Sequence, residues 1–345
     1  MRIVFAFIVS LFLASTASAQ SINFFDQLTL SISPDFPAAN TTITARVQSD
    51  SLDLDRSLLT WYVDGEIVAE GGGLTETTVA LGDLGSATRI LVVAESLSGT
   101  NVEVERVIRP TEIDLIWEAD SYVPPFYQGK RLVSSSSRIR TQALPRLVRS
   151  NGTTVPARDI VYTWKKNGAI VSSVSGRGKS IATFPAPLLF GRDTISVEAS
   201  SLDGTLTAET SVSVSSADPT IVLYQKHPLF GTMYHQALDR DAYITDVEAT
   251  FVAVPYFAPA RISTDRALAY QWRVNNNAIE TDQTNPDEIT INAGNSSGAA
   301  RVELAIAHAT DIFFDARNNW NLLLNSGFGG GAQNEFDAGF FGTQQ

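Results

Sequence analysis

The sequence contains no cysteine in 345 residues. This absence excludes disulfide bonds, thiolate metal sites and cysteine nucleophiles. Small exported domains often depend on disulfides, so an exported chain without them must be stabilised by burial of apolar surface alone. That is feasible when each folding unit has about 100 residues.

Basic residues are outnumbered, with 25 Lys and Arg against 37 Asp and Glu, for a net charge of -12. The acidic residues are spread along the chain. Nucleic-acid binding needs clustered basic side chains that neutralise phosphates, so this composition disfavours a nucleic-acid partner. Diffuse negative charge fits a soluble exported protein.

Histidine is scarce too: His227, His235 and His308 are the only three. The chain has no His-Glu-x-x-His motif and no Gly-x-Ser-x-Gly elbow. We therefore expect no enzymatic activity, no catalytic residues, no bound metal and no cofactor. His227 and His235 flank one proline–aromatic segment, so a shared metal ion is the alternative to a plain loop role.

Two weaker patterns have simple explanations. The stretch "GRGKS" (residues 176–180) resembles a phosphate-binding loop, but that motif needs a glycine where this chain has Ser173. It is interpreted as a turn. Acidic residues at positions 50–55 and 239–241 could ligate Ca²⁺, yet neither group matches a known calcium loop, and solvated turn acids are the default.

Long apolar runs are missing except at the start, "MRIVFAFIVSLFLASTASAQ". Arg2 precedes an apolar run over residues 3–14, and the small residues at 17 and 19 suit a signal peptidase. The run is too short to span a bilayer. This pattern predicts a signal peptide over residues 1–19, no transmembrane span after its removal, and a periplasmic, cell-surface or extracellular location.

One nine-residue phrase is repeated. "TWYVDGEIV" begins at Thr60, "TWKKNGAIV" begins at Thr163, and "YQWRVNNNAI" begins at Tyr270. Alternating side chains before each tryptophan predict a strand. The Asp-Gly and Asn-Gly pairs that follow favour two-residue hairpin turns. The third copy has asparagines there, which predicts a looser hairpin.

A second strand pattern recurs about 30 residues after each tryptophan, with apolar residues alternating at 90–94, 195–199 and 302–306. Prolines at 110 and 219 mark where each later repeat begins. The predicted organisation is a signal peptide (1–19), three Ig-like domains (20–109, 110–218 and 219–325) and a Gly/Phe-rich flexible tail (326–345).

Short alternating strands, frequent turns and little helical periodicity predict an all-β chain of three tandem β-sandwiches. In such a fold a large ring on one strand fills the space between the two sheets, which lie about 10 Å apart. We therefore expect Trp61, Trp164 and Trp272 to be structural core residues. Stacking on a ligand is the alternative.

These phrases, with the downstream Ile-x-Val-x-Ala strand and its Gly-containing turn, resemble the Ig-like or PKD-like modules of bacterial surface proteins. The openings "IDLIWEADSYVPPFYQGK" and "IVLYQKHPLFG" are similar to tandem Ig-like proteins exported by uncultured bacteria of small genome, a group of uncharacterised surface proteins. The resemblance covers most of residues 20–325. It implies an Ig-like or PKD-like fold, with the choice of subtype open, and it implies no particular activity.

Two proline–aromatic segments carry the best candidates for partner contact: Phe126 and Tyr127 in the first, Phe230 in the second. Aromatic rings beside prolines resist strand pairing and can stack on a sugar or a protein. They could instead wedge the junction between neighbouring modules. Phe336, Phe340 and Phe341 in the tail are further candidates, since such a segment could add to a sheet edge.

The predicted function is that of a non-enzymatic structural or adhesive protein of the cell envelope or surface, which mediates protein–protein interaction with an envelope or surface partner. The alternative is an array of carbohydrate-binding modules. An exposed row of the three tryptophans would favour glycan binding. A cleft that collected two carboxylates with His227 would favour an enzyme.

Overall fold

The computed structural model describes residues 28–97, 99–244, 247–292, 294 and 298–324. Within these ranges the chain is all-β, with 24 strands and two short 3₁₀ helices but no α-helix. The described part has no helix long and apolar enough to cross a membrane. The predicted signal peptide and the tail aromatics Phe336, Phe340 and Phe341 lie outside the described residues.

The chain divides into two compact units, Met1–Pro110 and Thr111–Gln345. The first unit holds one sandwich, called sandwich 1. Its strands are β1 (Leu28–Ser33), β2 (Thr42–Ser49), β3 (Leu58–Val63), β4 (Glu66–Gly72), β5 (Glu76–Ala80), β6 (Thr88–Glu95) and β7 (Asn101–Ile108), and a 3₁₀ helix spans Leu54–Arg56. One sheet has the order β1-β2-β5 and the other β4-β3-β6-β7. Alternate residues of β6 are buried, as a sheet with one core-facing side requires.

The second unit begins with sandwich 2. Its strands are β8 (Glu112–Ala119), β9 (Arg138–Arg146), β10 (Ile160–Lys166), β11 (Ala169–Ile170), β12 (Gly176–Arg177), β13 (Ile181–Pro185), β14 (Arg192–Ser201) and β15 (Thr207–Ser215), with a 3₁₀ helix at Ala157–Asp159. The sheets run β13-β9-β8 and β11-β10-β14-β15, and β12 also pairs with β10. The "GRGKS" stretch therefore contributes a short strand and a turn.

Sandwich 3 completes the second unit and carries additional strands. Its strands are β16 (Thr220–His227), β17 (Gly231–Ala237), β18 (Asp241–Ile244), β19 (Glu248–Tyr256), β20 (Leu268–Val274), β21 (Asn277–Ile279), β22 (Glu288–Asn292), β23 (Gly298–His308) and β24 (Asp315–Leu324). The sheet orders are β17-β16-β19-β22 and β18-β24-β23-β20-β21. The β16–β17 hairpin widens the first sheet, and β18 pairs with β24 in parallel.

The three sandwiches share one seven-strand topology, to which sandwich 2 adds β12 and sandwich 3 adds β17 and β18. This shared topology confirms the predicted fold class of tandem Ig-like β-sandwiches. In each, the strand after the repeated tryptophan turns back and pairs with the tryptophan strand. A constant-type immunoglobulin domain instead places its fourth strand beside the fifth. Each sandwich has its own apolar core. The domain boundaries at residues 110 and 219 stay predictions.

The repeated tryptophans are at most 1% exposed, and each belongs to the core of its own sandwich. Each indole N–H donates to a backbone carbonyl two residues before an edge strand of the opposite sheet (β5, β13 or β22): Trp61 to Leu74 at 2.8 Å, Trp164 to Lys179 at 2.9 Å, and Trp272 to Pro286 at 2.9 Å. The ring thus fills the space between the sheets while its one polar group is satisfied, as a buried indole requires.

The hairpin turn after each tryptophan makes a second conserved set of contacts across the repeats. The first turn residue has a left-handed backbone in all three copies: Asp64, Asn167 and Asn275 have φ near +50°. Each of these residues makes two hydrogen bonds to one residue of the neighbouring strand, which is Arg89, Thr194 or Arg301. The side-chain oxygen of the turn residue accepts the backbone N–H of that residue, and the backbone N–H of the turn residue donates to its carbonyl. The third hairpin has the same two-residue turn, so the expectation that it is looser was wrong in geometry.

We expect Trp164→Ala to lower the free energy of unfolding of the second unit by about 3–5 kcal/mol, because it leaves a cavity between the sheets. Trp164→Phe should cost about 1–3 kcal/mol, since the Lys179 carbonyl loses its donor. Urea denaturation followed by circular dichroism measures both. Phe230→Ala, at a side chain 79% exposed, is the matched control and should change stability by less than about 0.5 kcal/mol. Equal losses in all three variants would contradict the core role.

The third hairpin allows a test of opposite sign. Asn276 has φ +67°, a conformation that glycine adopts at no steric cost. Asn276→Gly should therefore raise stability by a few tenths to about 1 kcal/mol, and Gly168→Asn in the second hairpin should lower it by a similar amount. Thermal melts of both variants decide; a shift of the same sign in both would contradict the turn assignment.

Candidate binding groove between sandwiches 2 and 3

The proline–aromatic segment of sandwich 2 is bonded to sandwich 3. The Tyr122 N–H donates to the Ala258 carbonyl at 2.8 Å, and the Phe257 N–H donates to the Tyr122 carbonyl at 2.7 Å. The Tyr122 ring is buried and belongs to the apolar core of sandwich 3. Tyr122 is thus the wedge that one interpretation of this segment expected, and it couples the two sandwiches through both backbone and side chain.

Two adjoining hollows of about 550 and 570 Å³ lie on either side of residues 124–127. Together they form the surface called here the junction groove. Its aromatic and charged lining residues are Tyr122, Phe126, Tyr127, Arg131, Tyr234, His235, Tyr256 and Arg261. The groove therefore draws on β8–β9 connecting residues of sandwich 2 and on the β16–β17 hairpin of sandwich 3.

Two rings of the groove, Tyr127 and Tyr256, pack edge to face with each other and with Phe257, which lies next to the lining residues in sequence. Tyr127 lies 5.8 Å from Tyr256 and 6.0 Å from Phe257, and the Tyr256 and Phe257 centroids are 6.0 Å apart, with interplanar angles between 64° and 75°. The Tyr256 hydroxyl also lies 2.7 Å from that of Tyr224. Burial and this contact raise the pKa of Tyr256. These rings hold one another rigidly but present no flat, coplanar platform.

Phe126 combines an exposed ring with an unfavourable backbone conformation. Its side chain is 91% exposed, and its backbone is left-handed at φ +66°. A bulky residue in this conformation costs on the order of 1–3 kcal/mol. Folding gains no burial from the ring in return.

The groove has two arginines that make no ion pair within the described residues, Arg131 and Arg261. Both are exposed. Their neighbour Lys130 is placed over the Trp117 ring, 3.3 Å from its centroid, and burial lowers the pKa of Lys130. In a chain of net charge -12, this pair makes a local positive spot beside aromatic rings.

A buried carboxylate lies behind the groove wall. Asp287 is 4% exposed, and its Oδ2 accepts a 2.7 Å hydrogen bond from Ser263 Oγ. Burial raises the pKa of Asp287 despite that hydrogen bond. The same residue helps to raise the pKa values of Tyr122 and Tyr270, where burial is the largest cause. Sandwiches 1 and 2 have Thr75 and Ser180 at the corresponding place after the carbonyl that accepts the indole.

The other candidate residues lie elsewhere. Phe230 stacks on His227 at 4.7 Å, and His227 Nδ1 accepts the N–H groups of Leu229 and Phe230 at 3.1 and 3.3 Å. Neither His227 nor Phe230 lines the junction groove, whereas His235 does. Among the described residues no three His, Asp or Glu side chains form a group that could hold a metal ion, and Asp241 is used in a hydrogen bond from Asn321.

Sequence reasoning missed several groove residues. Tyr256 of the groove belongs, with its neighbour Phe257, to a third proline–aromatic stretch, "PYFAP" at residues 255–259, and the composition of that stretch was a readable signal. Tyr234 follows the second proline–aromatic segment and was identifiable from it. Arg131 and Arg261 carried no local signal, because only the docking of the two sandwiches brings them to one surface.

No protein-family model and no curated protein sequence matches the chain. Among solved structures it is similar to fibronectin(III)-like modules of Clostridium thermocellum CbhA, at 13% identity over 55% of this chain and 94% of that one, with a TM-score of 0.26. It is similar to the central fibronectin-III array of RIM-binding protein, at 14% identity, 87% and 96% coverage and a TM-score of 0.29.

A third similar structure comprises three N-terminal domains of the bacteriophage RB49 outer capsid protein Hoc, with 13% identity, 87% and 98% coverage and a TM-score of 0.24. TM-scores this low say nothing about the function of this chain. The fold class rests on the strand pairing of the three sandwiches.

The buried carboxylate generates a pH prediction. Asp287 has a raised pKa in the folded state, so it holds its proton at pH values where the unfolded chain has lost it. Stability should therefore fall as pH rises from the ordinary carboxyl value of 3.8 towards the raised value. Asp287→Asn keeps a hydrogen-bond acceptor for Ser263 but has no carboxyl group to ionise. The stability of this variant relative to the wild type should therefore increase over the same pH range.

Urea unfolding of the wild type and of Asp287→Asn at half-unit steps from about pH 3.5 to 7.5 measures the difference. The exposed Asp241→Asn variant serves as control and should give no such trend. Parallel stability curves for the wild type and Asp287→Asn would contradict the buried-charge account.

Proposed function

We propose that this chain is a non-enzymatic interaction protein whose Ig-like sandwiches present the junction groove to a protein partner. We further propose that it is exported and serves as a structural or adhesive component of the cell envelope or surface. The export part rests on the N-terminal sequence pattern. The interaction part rests on the groove.

One observation carries the proposal: Phe126 is fully exposed in a left-handed conformation. Folding pays twice for this residue, once for the backbone and once for the solvated ring. Strained, exposed aromatic residues of this kind are a feature of ligand-contacting loops. Tyr122 and its two backbone hydrogen bonds fix the segment, so the ring is held in place before a partner arrives, which limits the entropy lost on binding.

The residue types favour a protein partner. Tyrosine and arginine are enriched among the residues that dominate protein–protein binding energy. Arg131 and Arg261 can each form a bidentate pair of hydrogen bonds with a carboxylate. An acidic segment beside an apolar side chain would satisfy both arginines and cover Phe126.

A glycan-binding array is the alternative, and the geometry favours it less. A sugar-stacking platform needs several coplanar ring faces, whereas Tyr127, Tyr256 and the neighbouring Phe257 meet at 64° to 75°. The three repeated tryptophans, whose exposure would have favoured glycans, are buried.

The test uses ring-deleted variants of the mature chain. Phe126→Asn removes the ring while asparagine still tolerates the left-handed backbone, so folding should be preserved. Phe230→Asn removes another largely exposed ring, outside the groove, and is the matched control. Both are compared with the wild type for capture of envelope and surface proteins by quantitative pull-down, and for binding to a glycan array.

Phe126→Asn, and separately Arg131→Ser with Arg261→Ser, should weaken binding of one specific protein by about 30-fold or more, the effect of losing a contact of roughly 2 kcal/mol. Phe230→Asn should leave binding unchanged. A partner lost with Phe230→Asn but kept with Phe126→Asn would reject the groove. Glycan binding lost with Phe126→Asn would reject the protein partner in favour of the alternative.

A further inference from the structure

A second exposed apolar surface lies in unit 2, outside the junction groove. It is formed by Leu188, Leu189 and Phe190 between β13 and β14, and by Ile312 and Phe313 between β23 and β24. This set is called the loop patch. Phe190 is 81% exposed and Ile312 is 88% exposed. Exposed apolar side chains concentrated in this way are typical of an interaction surface.

The two loops belong to one surface. Leu188, Leu189 and Phe313 border the same hollow of about 560 Å³. The Phe313 carbonyl accepts a 3.3 Å hydrogen bond from Ser135 Oγ of sandwich 2. Both loops are fixed: a 2.7 Å hydrogen bond from the Gly191 N–H to the Leu188 carbonyl closes the first turn, and Asp311 Oδ1 accepts the Phe313 N–H in the second.

The loops also depart from the repeat. The strand pairs β6–β7 and β14–β15 are joined by "SLSGT" and "LDGTL", each with a Gly-Thr pair, whereas the corresponding β23–β24 connection reads "ATDIFF". Phe190 adopts a left-handed backbone at φ +59°, which repeats the strain found at Phe126. The sequence therefore changes from polar to apolar in the loop that completes this hollow.

We infer that the loop patch is the docking site for residues 334–341 of the same chain, "NEFDAGFF". This segment carries Phe336, Phe340 and Phe341, whose rings suit an apolar surface of this size. It also carries Glu335 and Asp337. Arg138 lines the hollow and makes no ion pair in the part of the chain that the structure describes, so charges of opposite sign face each other.

The length of chain permits this contact and also sets which rings can make it. The ten residues of β24 carry the chain about 34 Å from the β23–β24 loop to Leu324. Phe336 follows Leu324 by 12 residues, which reach about 40 Å when extended. Phe328 follows by four residues and reaches only about 13 Å. The nearer ring therefore stays off the patch, and the three distal rings can return to it.

The inference is independent of the junction groove and is tested by hydrogen exchange of the full chain. In the wild type, amides of residues 188–191 and 311–314 should exchange at least tenfold more slowly than in a chain that ends at residue 325. Phe336→Ser with Phe340→Ser and Phe341→Ser should remove this protection, while the matched control Phe328→Ser should keep it. Glu335→Gln with Asp337→Asn should reduce it in a salt-dependent way.

Exchange measured between about 1 and 100 µM protein separates contact within the chain from contact between copies, because an intramolecular contact is independent of concentration. Equal exchange in the wild type and the truncated chain would overturn the inference. So would protection that rises with concentration together with a doubled mass in solution, which would assign the patch to a second copy.

Discussion

Every sandwich depends on one buried indole whose N–H donates a hydrogen bond to a backbone carbonyl. A ring of this size closes the space between two sheets, but its polar nitrogen would be costly in an apolar core without a partner. A backbone carbonyl two residues before β5, β13 or β22 accepts the indole N–H in each sandwich. Trp61, Trp164 and Trp272 all use it. This hydrogen bond links a central strand of one sheet to the residues that lead into an edge strand of the other sheet. The two sheets are thus connected without a disulfide.

Sandwich 3 also binds a residue from the neighbouring sandwich in its core. Its core accepts Tyr122 from the segment that joins β8 to β9, so one residue belongs to the chain of sandwich 2 and to the packing of sandwich 3. Two backbone hydrogen bonds make the docking directional. As a result, loops that would be independent at the ends of separate modules share a surface. The junction groove and the loop patch both arise from that coupling, and strained phenylalanines mark both.

Sequence patterns were informative where the physics is local. Alternation around Trp61 and Trp164 predicts strands, and Asp64-Gly65 and Asn167-Gly168 predict two-residue turns. The turn at Asn275-Asn276 was underestimated, because the side chain of the first turn residue is also held by the neighbouring strand, a contact between residues 26 positions apart. Of the groove, Phe126 and Tyr127 were identifiable from their proline-rich setting, and "PYFAP" could have been. Arg131, Arg261 and Asp287 could not.

The sequence by itself determined the all-β class, the three-fold repeat and the tryptophan at each core, since the period of side chains along a strand and the backbone demands of a turn are properties of short segments. Only the tertiary structure decided which exposed residues share a surface. That Tyr122 enters a neighbouring core, that Arg131 and Arg261 line one hollow, and that Phe313 borders the same hollow as Leu188 depend on how two folded sandwiches pack. Such packing depends on shape across long chain separations, which no local pattern encodes.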